Sequence, residues 1–258
     1  MKPENLKTIN QSFEIQADQF ESRALQFTKQ ESLDYTVESV KPRGEEAMLE
    51  VAAGTCVCGR SFAPYLRTVV CLDATDAMLE VGRREAESSG LKNMVFVRGY
   101  AEELPFLDES FDIVFSRLAF HHFTDSEKCF SEMVRCLRPG GRLVMIDMEA
   151  AREDLRLLQD TIETLRDPSH VRNLSREEML SLFSDHGLRV EKCETRKIRQ
   201  ELTSWMALTK TPETTQENIL RKMEEDLSGG EKTGFYPYVM DGKICFDQRW
   251  VLTIGIRL

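Results

Sequence analysis

The segment E-V-A-A-G-T-C-V-C-G-R-S, residues 50–61, decides which α/β fold the chain adopts. It overlaps the apolar run AMLEVA at residues 47–52, which has the length of a buried strand. Gly54 and Gly59 keep the spacing of a Walker A phosphate-binding loop, but Arg60 stands where that motif requires lysine. A loop that follows the first strand of a parallel sheet binds a ligand, so the chain around it must indicate which ligand.

Further apolar runs of strand length follow this segment, separated by stretches long enough for helices. They are TVVCLD at residues 68–73, MVFVR at 94–98, FDIVFS at 111–116 and RLVMID at 142–147. This alternation predicts an α/β fold with a doubly wound, mostly parallel sheet and helices on both faces. Residues 188–197 and 248–256 look like two more strands, which brings the predicted sheet to seven.

The sequence predicts a polar N-terminal segment followed by one larger domain. Residues 1–40 are mostly polar and helical in pattern, and we expect them to lie across the open edge of the sheet as a lid. Their apolar positions are only loosely periodic: Phe13, Ile15, Ala17, Phe20, Leu25 and Phe27. Residues 41–258 then form the α/β domain, with a helical insertion at about residues 200–245, and Ser175 with Glu178 has the spacing of a capping box.

Composition and charge exclude several classes of protein. The net charge of −10 disfavours nucleic acid as the main partner, because such binding depends on lysine and arginine neutralising phosphates. The chain has no run of the roughly 18 apolar residues that a membrane span needs, and no secretory signal, so we expect a cytoplasmic protein. We expect no metal site, because Cys56 and Cys58 have one residue between them and no partner pair. The oligomeric state is open, and a homodimer is one option.

The second predicted strand separates the candidate ligands. It ends in Asp73, which is placed to accept hydrogen bonds from both hydroxyls of a ribose, and a Walker NTPase needs no such clamp. RLVMID has the form of a magnesium-binding strand, but the guanidinium of Arg60 does not replace a compact ammonium at phosphates. The dinucleotide motif G-x-G-x-x-G is absent, because its positions read Ala52, Gly54 and Cys56. A P-loop-like NTPase stays as the weaker alternative.

Five pieces of sequence occur in unbroken order between about residues 47 and 148: EVAAGT, the strand ending in Asp73, GYAEELPF, FDIVFSRLAFHHF and LRPGGRLVMID. Together they resemble the class I (Rossmann-like) S-adenosylmethionine-dependent methyltransferases, in particular the small-molecule subgroup similar to ubiquinone/menaquinone biosynthesis C-methyltransferases. The resemblance implies a seven-stranded sheet with its last strand antiparallel. It also implies methyl transfer from S-adenosyl-L-methionine to a small organic acceptor by in-line displacement at the sulfonium methyl, with S-adenosyl-L-homocysteine as the product. A non-catalytic sensor or scaffold that binds S-adenosylmethionine is the alternative.

The resemblance and simple chemistry together assign cofactor contacts. Glu50 would bind the ammonium group of the cofactor, the backbone from Ala52 to Gly54 would approach its methionine part, and Asp73 would hold the ribose. The other expected contacts are Ala74 and Met78 beside the adenine, Ala101 and Glu102 at the adenine edge, and Ser116 beside the methionine part. The chain departs from the family pattern at Cys56, where glycine is usual, and at Tyr100, where an acid is usual.

The candidate catalytic residues follow the fourth predicted strand, in SRLAFHHF. A histidine with a pKa near 6.5 suits proton transfer at neutral pH, and His121 and His122 are placed where an acceptor would meet the methyl group. We predict that His121 or Arg117 orients or deprotonates the acceptor. The acceptor site is expected to combine Phe13 and Phe20, the loop at residues 117–123, and Trp205, Phe235 and Tyr236 from the C-terminal part.

Overall fold

The computed structural model describes residues 5–17, 20–21 and 29–258, and the structural statements below concern these residues. Leu25 and Phe27, two apolar positions of the expected lid, lie outside them. The helices are α1 (Leu6–Gln16), α2 (Gln30–Val40), α3 (Val57–Phe62), α4 (Asp76–Ser88), α5 (Ser126–Cys136), α6 (Glu153–Arg166), α7 (Arg176–Asp185), α8 (Leu202–Leu208) and α9 (Glu213–Leu227). In this part of the chain, no helix is long and apolar enough to cross a bilayer.

Eight strands form one sheet within the described residues. They are β1 (Ala47–Val51), β2 (Thr68–Asp73), β3 (Met94–Arg98), β4 (Phe111–Arg117), β5 (Leu137–Met148), β6 (Leu188–Glu201), β7 (Tyr238–Met240) and β8 (Lys243–Arg257). The order is β3-β2-β1-β4-β5-β8-β6, and the short β7 pairs with β8. β1 to β5 are parallel, whereas β8 is antiparallel to both β5 and β6. The predicted mostly parallel sheet with an antiparallel last strand is confirmed, and β7 is an additional strand that the sequence did not predict.

The central strands are buried on both faces, which is why their sequences read as continuous apolar runs. All residues of β1 are buried, and alternate side chains enter two different clusters. Leu49 and Val51 pack into the cluster that contains α5 and α7, while Met48 packs into the cluster that contains α2 and α3. A third cluster around Trp205, Phe235 and Phe246 joins α6, α8 and α9 to the end of the sheet.

The order of the strands fixes the position of the ligand site. From β1 the chain moves outward through β2 to β3, and it then returns to the other side of β1 to form β4 and β5. The strand order therefore reverses between β1 and β4, and the carboxyl ends of these strands open a crevice there. The loops after β1, β2, β3 and β4 meet at this crevice.

The starts of two helices show how local sequence fixes where a loop ends. The capping box predicted at Ser175 is confirmed: its hydroxyl accepts from Glu178 N at 3.1 Å, and the Glu178 carboxylate accepts from Ser175 N at 2.6 Å. At the start of α5, the side chain of Asp125 accepts from Lys128 N at 2.9 Å. Each cap defines where a loop ends, so the loop between β4 and α5 has a fixed length and holds the two histidines at the crevice.

Candidate active site

A cavity of about 320 Å³ lies at the crevice between β1 and β4. Its volume is within the range of small-molecule sites in proteins, and loops after five strands contribute to its wall. The sequence-predicted residues that line it are Glu50, Ala52, Gly54, Asp73, Ala74, Met78, Ala101, Glu102, Arg117 and His121. The structure therefore brings together nearly all the residues that the sequence placed at a cofactor and acceptor site.

The loop after β1 is tightly wound and approaches its neighbours closely. Ala52, Gly54 and Cys56 all have φ values in the left-handed region, at 54°, 54° and 59°. Only Gly54 adopts that conformation without a steric cost. Ala52 and Cys56 therefore hold a backbone conformation that usually requires glycine. Gly82 of α4 allows this packing, because a Cβ there would lie 2.7 Å from the carbonyl oxygen of Thr55.

Asp73 lies at the end of β2 and is already held by backbone groups. Its Oδ2 accepts from Gly54 N at 2.7 Å, and its Oδ1 accepts from Thr75 N at 2.8 Å. Burial raises the pKa of Asp73, and these backbone donors act in the opposite direction. Each carboxylate oxygen has a second lone pair, so both remain able to accept from a pair of ribose hydroxyls.

Glu50 is a fully buried carboxyl group beneath the same loop. Its Oε2 accepts from Gly59 N at 2.8 Å, and Gly59 is required there because a Cβ would lie 2.6 Å from that oxygen. Burial raises the pKa of Glu50 from 4.5 to about 7, although Gly59 N and the nearby Arg117 lower it. Such a group ionises readily when a cation such as an ammonium comes next to it.

The wall beside Asp73 suits a flat apolar ring. Leu72, Ala74 and Met78 line it, and the Met78 side chain is fully buried in a small cluster with Ala17. Tyr100 also lines this end, at the position where the family usually has an acid. Glu102 is buried at the same end, and its burial raises the pKa of its carboxyl group.

Ser116 is the predicted cofactor residue that the structure does not bring to the cavity wall. It is fully buried in β4, and its hydroxyl donates to the carbonyl oxygen of Val51 at 3.0 Å. The side chain therefore links β4 to the end of β1. Its sequence position, one residue before the end of the strand, did not reveal which face of the sheet it would occupy.

His121 forms a buried pair with Asp147 at the end of β5. The Nδ1 atom of His121 lies 2.6 Å from Asp147 Oδ1. Burial alone would lower the pKa of His121, but the charge and hydrogen bond of Asp147 outweigh it and raise this pKa above 6.5. The pKa of Asp147 is lowered, because the charge and hydrogen bond of His121 and two backbone donors outweigh its burial.

His122 has a different environment, although it is adjacent in sequence. Its Nδ1 lies 3.0 Å from the carbonyl oxygen of Ser169, and its ring contacts Phe13 at 5.1 Å between centroids. Burial and the neighbouring His121 lower the pKa of His122 to about 3, so it is neutral at physiological pH. Its hydrogen bond and ring contact favour a structural role over proton transfer.

Arg117 lies on the cavity wall between the sheet and α2. Its Nη1 is 3.2 Å from Cys58 Sγ, its Nη2 is 3.2 Å from Ser32 Oγ, and its guanidinium stacks over the ring of Trp250. An arginine side chain stays protonated in proteins, so it cannot take a proton from an acceptor. Of the two predicted roles, only orienting the acceptor is chemically open to Arg117.

Aromatic side chains line the cavity at more than one place, and the sequence predicted part of this set: Phe13 and Phe20 pack beside Met78, whereas Trp205 belongs to the C-terminal part of the wall. Phe13, Phe20 and Trp205 line the cavity as expected. The prediction is wrong for Phe235 and Tyr236, which line a separate small pocket. Phe235 packs instead against the rings of Trp205 and Phe246, and the chain after it turns outward, so that Tyr236 is 56% exposed.

Sequence reasoning also missed residues on this wall. Gln200 and Gln248, on neighbouring strands, are hydrogen-bonded to each other at 2.9 Å and line the cavity beside Trp250. No motif marks them, because their position depends on how far β6 and β8 extend beyond the parallel strands. Asp147 was read only as a possible magnesium ligand, although it ends a strand as Asp73 does.

The residues present fit S-adenosylmethionine. Thr55 Oγ1 is buried beside the cavity and, among the described residues, has no hydrogen-bond partner. A ligand with polar groups at the loop after β1 would satisfy it. Asp73 offers two oxygens to a ribose, and Glu50 offers a carboxylate to an ammonium. The fold and this site define a Rossmann-like protein that binds a nucleoside-containing ligand at the carboxyl edge of its sheet.

Comparisons with known proteins identify the family. A family model described as a methyltransferase domain matches residues 49–145. The uncharacterized methyltransferase YcgJ of Bacillus subtilis is 31% identical over 233 residues, which cover 90% of this chain and 92% of YcgJ. The crystal structure of YcgJ matches with a TM-score of 0.80 and 30% identity, over 88% of this chain and 98% of that one. The chain belongs to the class I S-adenosylmethionine-dependent methyltransferases and is an enzyme that uses this cofactor.

A second relative matches over a shorter stretch. The ubiquinone/menaquinone biosynthesis C-methyltransferase of Idiomarina loihiensis is 32% identical over 152 residues, or 54% of this chain and 61% of that protein. The resemblance stated from the sequence motifs is thus confirmed at the level of the family.

Proposed function

We propose that the enzyme methylates a small, partly apolar organic molecule, and that the predicted site residues that line the cavity, all but Ser116, perform the roles assigned to them. One observation carries this proposal: a single cavity extends from Asp73 and Glu50 to the aromatic end at Trp205. A cofactor held by Asp73 and Glu50 would leave its methyl group facing the end at Trp205. That end combines the apolar side chains of Trp205, Leu208 and Trp250 with polar ones such as Gln200, Ser204 and Gln248, which suits a small, partly apolar molecule.

The cofactor, when bound, supplies an activated methyl group on a sulfonium. The protein therefore has mainly to position the acceptor against that methyl group and to exclude water from it. Asp73 would hold the ribose and Glu50 the ammonium group. Ala74 and Met78 would flank the adenine, with Ala101 and Glu102 at its edge, and the backbone from Ala52 to Gly54 would approach the methionine part. Arg117 would orient the acceptor, while His121 would accept a proton from it.

Helix α1 is proposed as a lid on this cavity. Ile9, Phe13 and Gln16 line the cavity from one face of the helix. The helix contacts loops of the main domain at separate points, since Asn10 accepts from the Thr75 hydroxyl at 3.2 Å and Gln16 donates to Asp167 at 3.4 Å. This supports the division into an N-terminal lid and a main domain whose C-terminal insertion forms the acceptor wall.

Ligand binding tests the cofactor half of the proposal. Isothermal titration of the full chain with S-adenosylmethionine and S-adenosylhomocysteine should show binding. Titration with NAD or ATP should show none. Asp73→Asn should weaken S-adenosylmethionine binding by about tenfold or more, because it removes a charged acceptor of hydroxyl hydrogen bonds.

Asp226→Asn is the matched control. Asp226 is also buried and also accepts from a backbone N–H, that of Thr233 at 2.8 Å, but it lies in the α9 region away from the cavity. Equal loss of binding in the two variants, or preference for ATP, would contradict the proposed site. Release of S-adenosylhomocysteine with a panel of phenols, enols, quinols and amines, but not with RNA or protein, would support a small acceptor.

A further inference from the structure

Asp147 is the most fully hydrogen-bonded acid beside the cavity. Its Oδ2 accepts from Ala119 N at 2.9 Å and from Phe120 N at 2.7 Å. Its Oδ1 accepts from Met148 N at 2.7 Å and faces Nδ1 of His121 at 2.6 Å. The carboxylate thus holds both the ring of His121 and the backbone turn that carries it.

These contacts determine where the proton of His121 lies. An ionised carboxylate only accepts hydrogen bonds, so Nδ1 of His121 must carry the hydrogen that points to Asp147. When the imidazole is neutral, its lone pair is then on Nε2, on the opposite side of the ring. Among the described residues, no hydrogen bond engages Nε2, and His121 lines the cavity.

We propose that Asp147 is a positioning residue that holds His121 as the Nδ1–H tautomer, and that the acceptor is one whose nucleophilic group carries a dissociable proton, for which a phenol or an enol fits the partly apolar cavity. Such an acceptor has a dissociable proton on the oxygen of its nucleophilic group. A tertiary amine or a thioether has no proton to lose and would not need this arrangement. The inference rests on the proposed function, because it assigns the substrate class of the same cavity.

The reaction balances without any further reactant. As the acceptor oxygen or the enol carbon attacks the methyl group, the bond between sulfur and methyl breaks and its electron pair stays on sulfur. The positively charged sulfonium becomes a neutral thioether. The O–H proton of the acceptor passes to Nε2 of His121 and afterwards to solvent, so the methylated product is neutral.

The groups around His121 all influence its titration. Asp147 faces it from β5, Glu163 and Asp167 act on it from the end of α6 and the residue that follows, and the ring of His122 lies 4.1 Å away between centroids. His170 is the next nearest ring, at 5.7 Å. The three acids favour the protonated form, whereas His122 is neutral. Activity on a phenol should therefore rise with pH until His121 is neutral.

Nuclear magnetic resonance tests the positioning role without a substrate. In the full chain labelled with ¹⁵N-histidine, the His121 signals are assigned by their loss in His121→Gln. We expect a protonated Nδ1 and an unprotonated Nε2 at pH values above the pKa of His121. In Asp147→Asn, the amide oxygen should keep the two backbone donors Ala119 N and Phe120 N, which turns the NH₂ toward Nδ1 of His121. The tautomer should then shift toward Nε2–H and the pKa should fall by about one unit, a tenfold change.

Two results would overturn this inference. One is an Nε2–H tautomer in the unmodified protein, which remains measurable even if Asp147→Asn does not fold. The other is turnover confined to tertiary amines and thioethers. For accepted phenols, Asp147→Asn should lower kcat more for a weakly acidic phenol than for a nitrophenol that is already ionised, while Asp226→Asn should affect both equally. Failure of S-adenosylmethionine to bind would instead contradict the proposed function.

Discussion

At the scale of single residues, Glu50 is a carboxyl group whose charge depends on its neighbour. Its folded-state pKa of about 7 exceeds the ordinary value of 4.5 because the group is buried. The folded, ligand-free protein therefore binds more protons than the unfolded chain between these two pH values. Stability contributed by neutral Glu50 is lost as the pH rises through this window, since the charge must then be buried.

A cation next to Glu50 favours the ionised carboxylate over the neutral form, and this gives a prediction about cofactor binding. Between pH 5.5 and 7, we expect the affinity for S-adenosylmethionine to increase with pH by up to about tenfold per unit, because binding releases the proton of Glu50. Titration calorimetry in buffers of different ionisation enthalpy measures that proton release. In Glu50→Gln the release should vanish and the affinity should be lower and independent of pH. Proton release that persists in Glu50→Gln would assign it to another group.

The sequence predicted those site residues whose position follows from where a strand ends. Glu50 lies one residue before the end of β1 and Asp73 ends β2, and a parallel sheet brings such ends together, so their proximity followed from the pattern. Ser116 and Asp147 depend on which face of a strand a side chain occupies and on what the adjacent loop places there. Those contacts arise between residues far apart in sequence, and no spacing reveals them.

At the scale of elements, the approach of α4 to the cofactor loop depends on one missing side chain. In Gly82→Ala, the added Cβ would lie 2.7 Å from Thr55 O and 2.8 Å from Cys56 Sγ, too close for any real contact. Alanine favours a helix by up to about 1 kcal/mol over glycine, yet the clash should shift the loop. We expect at least about tenfold weaker S-adenosylmethionine binding by calorimetry.

Gly44→Ala is the matched control for this prediction. A Cβ at Gly44 has no heavy atom within 4 Å, so the same substitution there adds a methyl group without a clash. Its cofactor affinity should equal that of the unmodified chain. If Gly82→Ala also binds normally, the loop tolerates displacement and the close packing of α4 is not needed for the site.

The capping box at the start of α7 gives a second prediction at this scale. Ser175→Ala removes the hydroxyl that accepts from Glu178 N and should lower the free energy of unfolding by about 1 kcal/mol in urea denaturation. Ser181→Ala, in the exposed middle of the same helix, should leave stability unchanged or slightly higher. Cofactor binding should be unaffected in both, because α7 does not line the cavity.

At the scale of the whole molecule, the sequence defined the cofactor half better than the acceptor half. The parallel strands are buried on both faces and have continuous apolar sequences, which a pattern detects readily. β6 reads LRVEKCETRKIRQE, and β8 begins at Lys243, well before the segment that pairs with β5. The polar parts of both strands that reach beyond the parallel strands gave no clear strand signal. Gln200 lies beyond the predicted strand at residues 188–197, and Gln248 is the first residue of the predicted strand at 248–256 with no motif to mark it, so the acceptor wall could not be assigned from the sequence.

Helix α1 joins the two halves, and its response to ligand tests the lid that we propose. One face of α1 lines the cavity, and Asn10 links it to Thr75 beside Asp73. We therefore expect S-adenosylmethionine to slow amide hydrogen exchange in α1 by about tenfold, because a bound cofactor adds contacts that local opening must break. Asn10→Ala should reduce this protection while leaving exchange in α7 as it is. Equal exchange in α1 with and without the cofactor would mean that the helix does not act as a lid. Ligands would then have to enter the cavity from the side formed by β6 and α8.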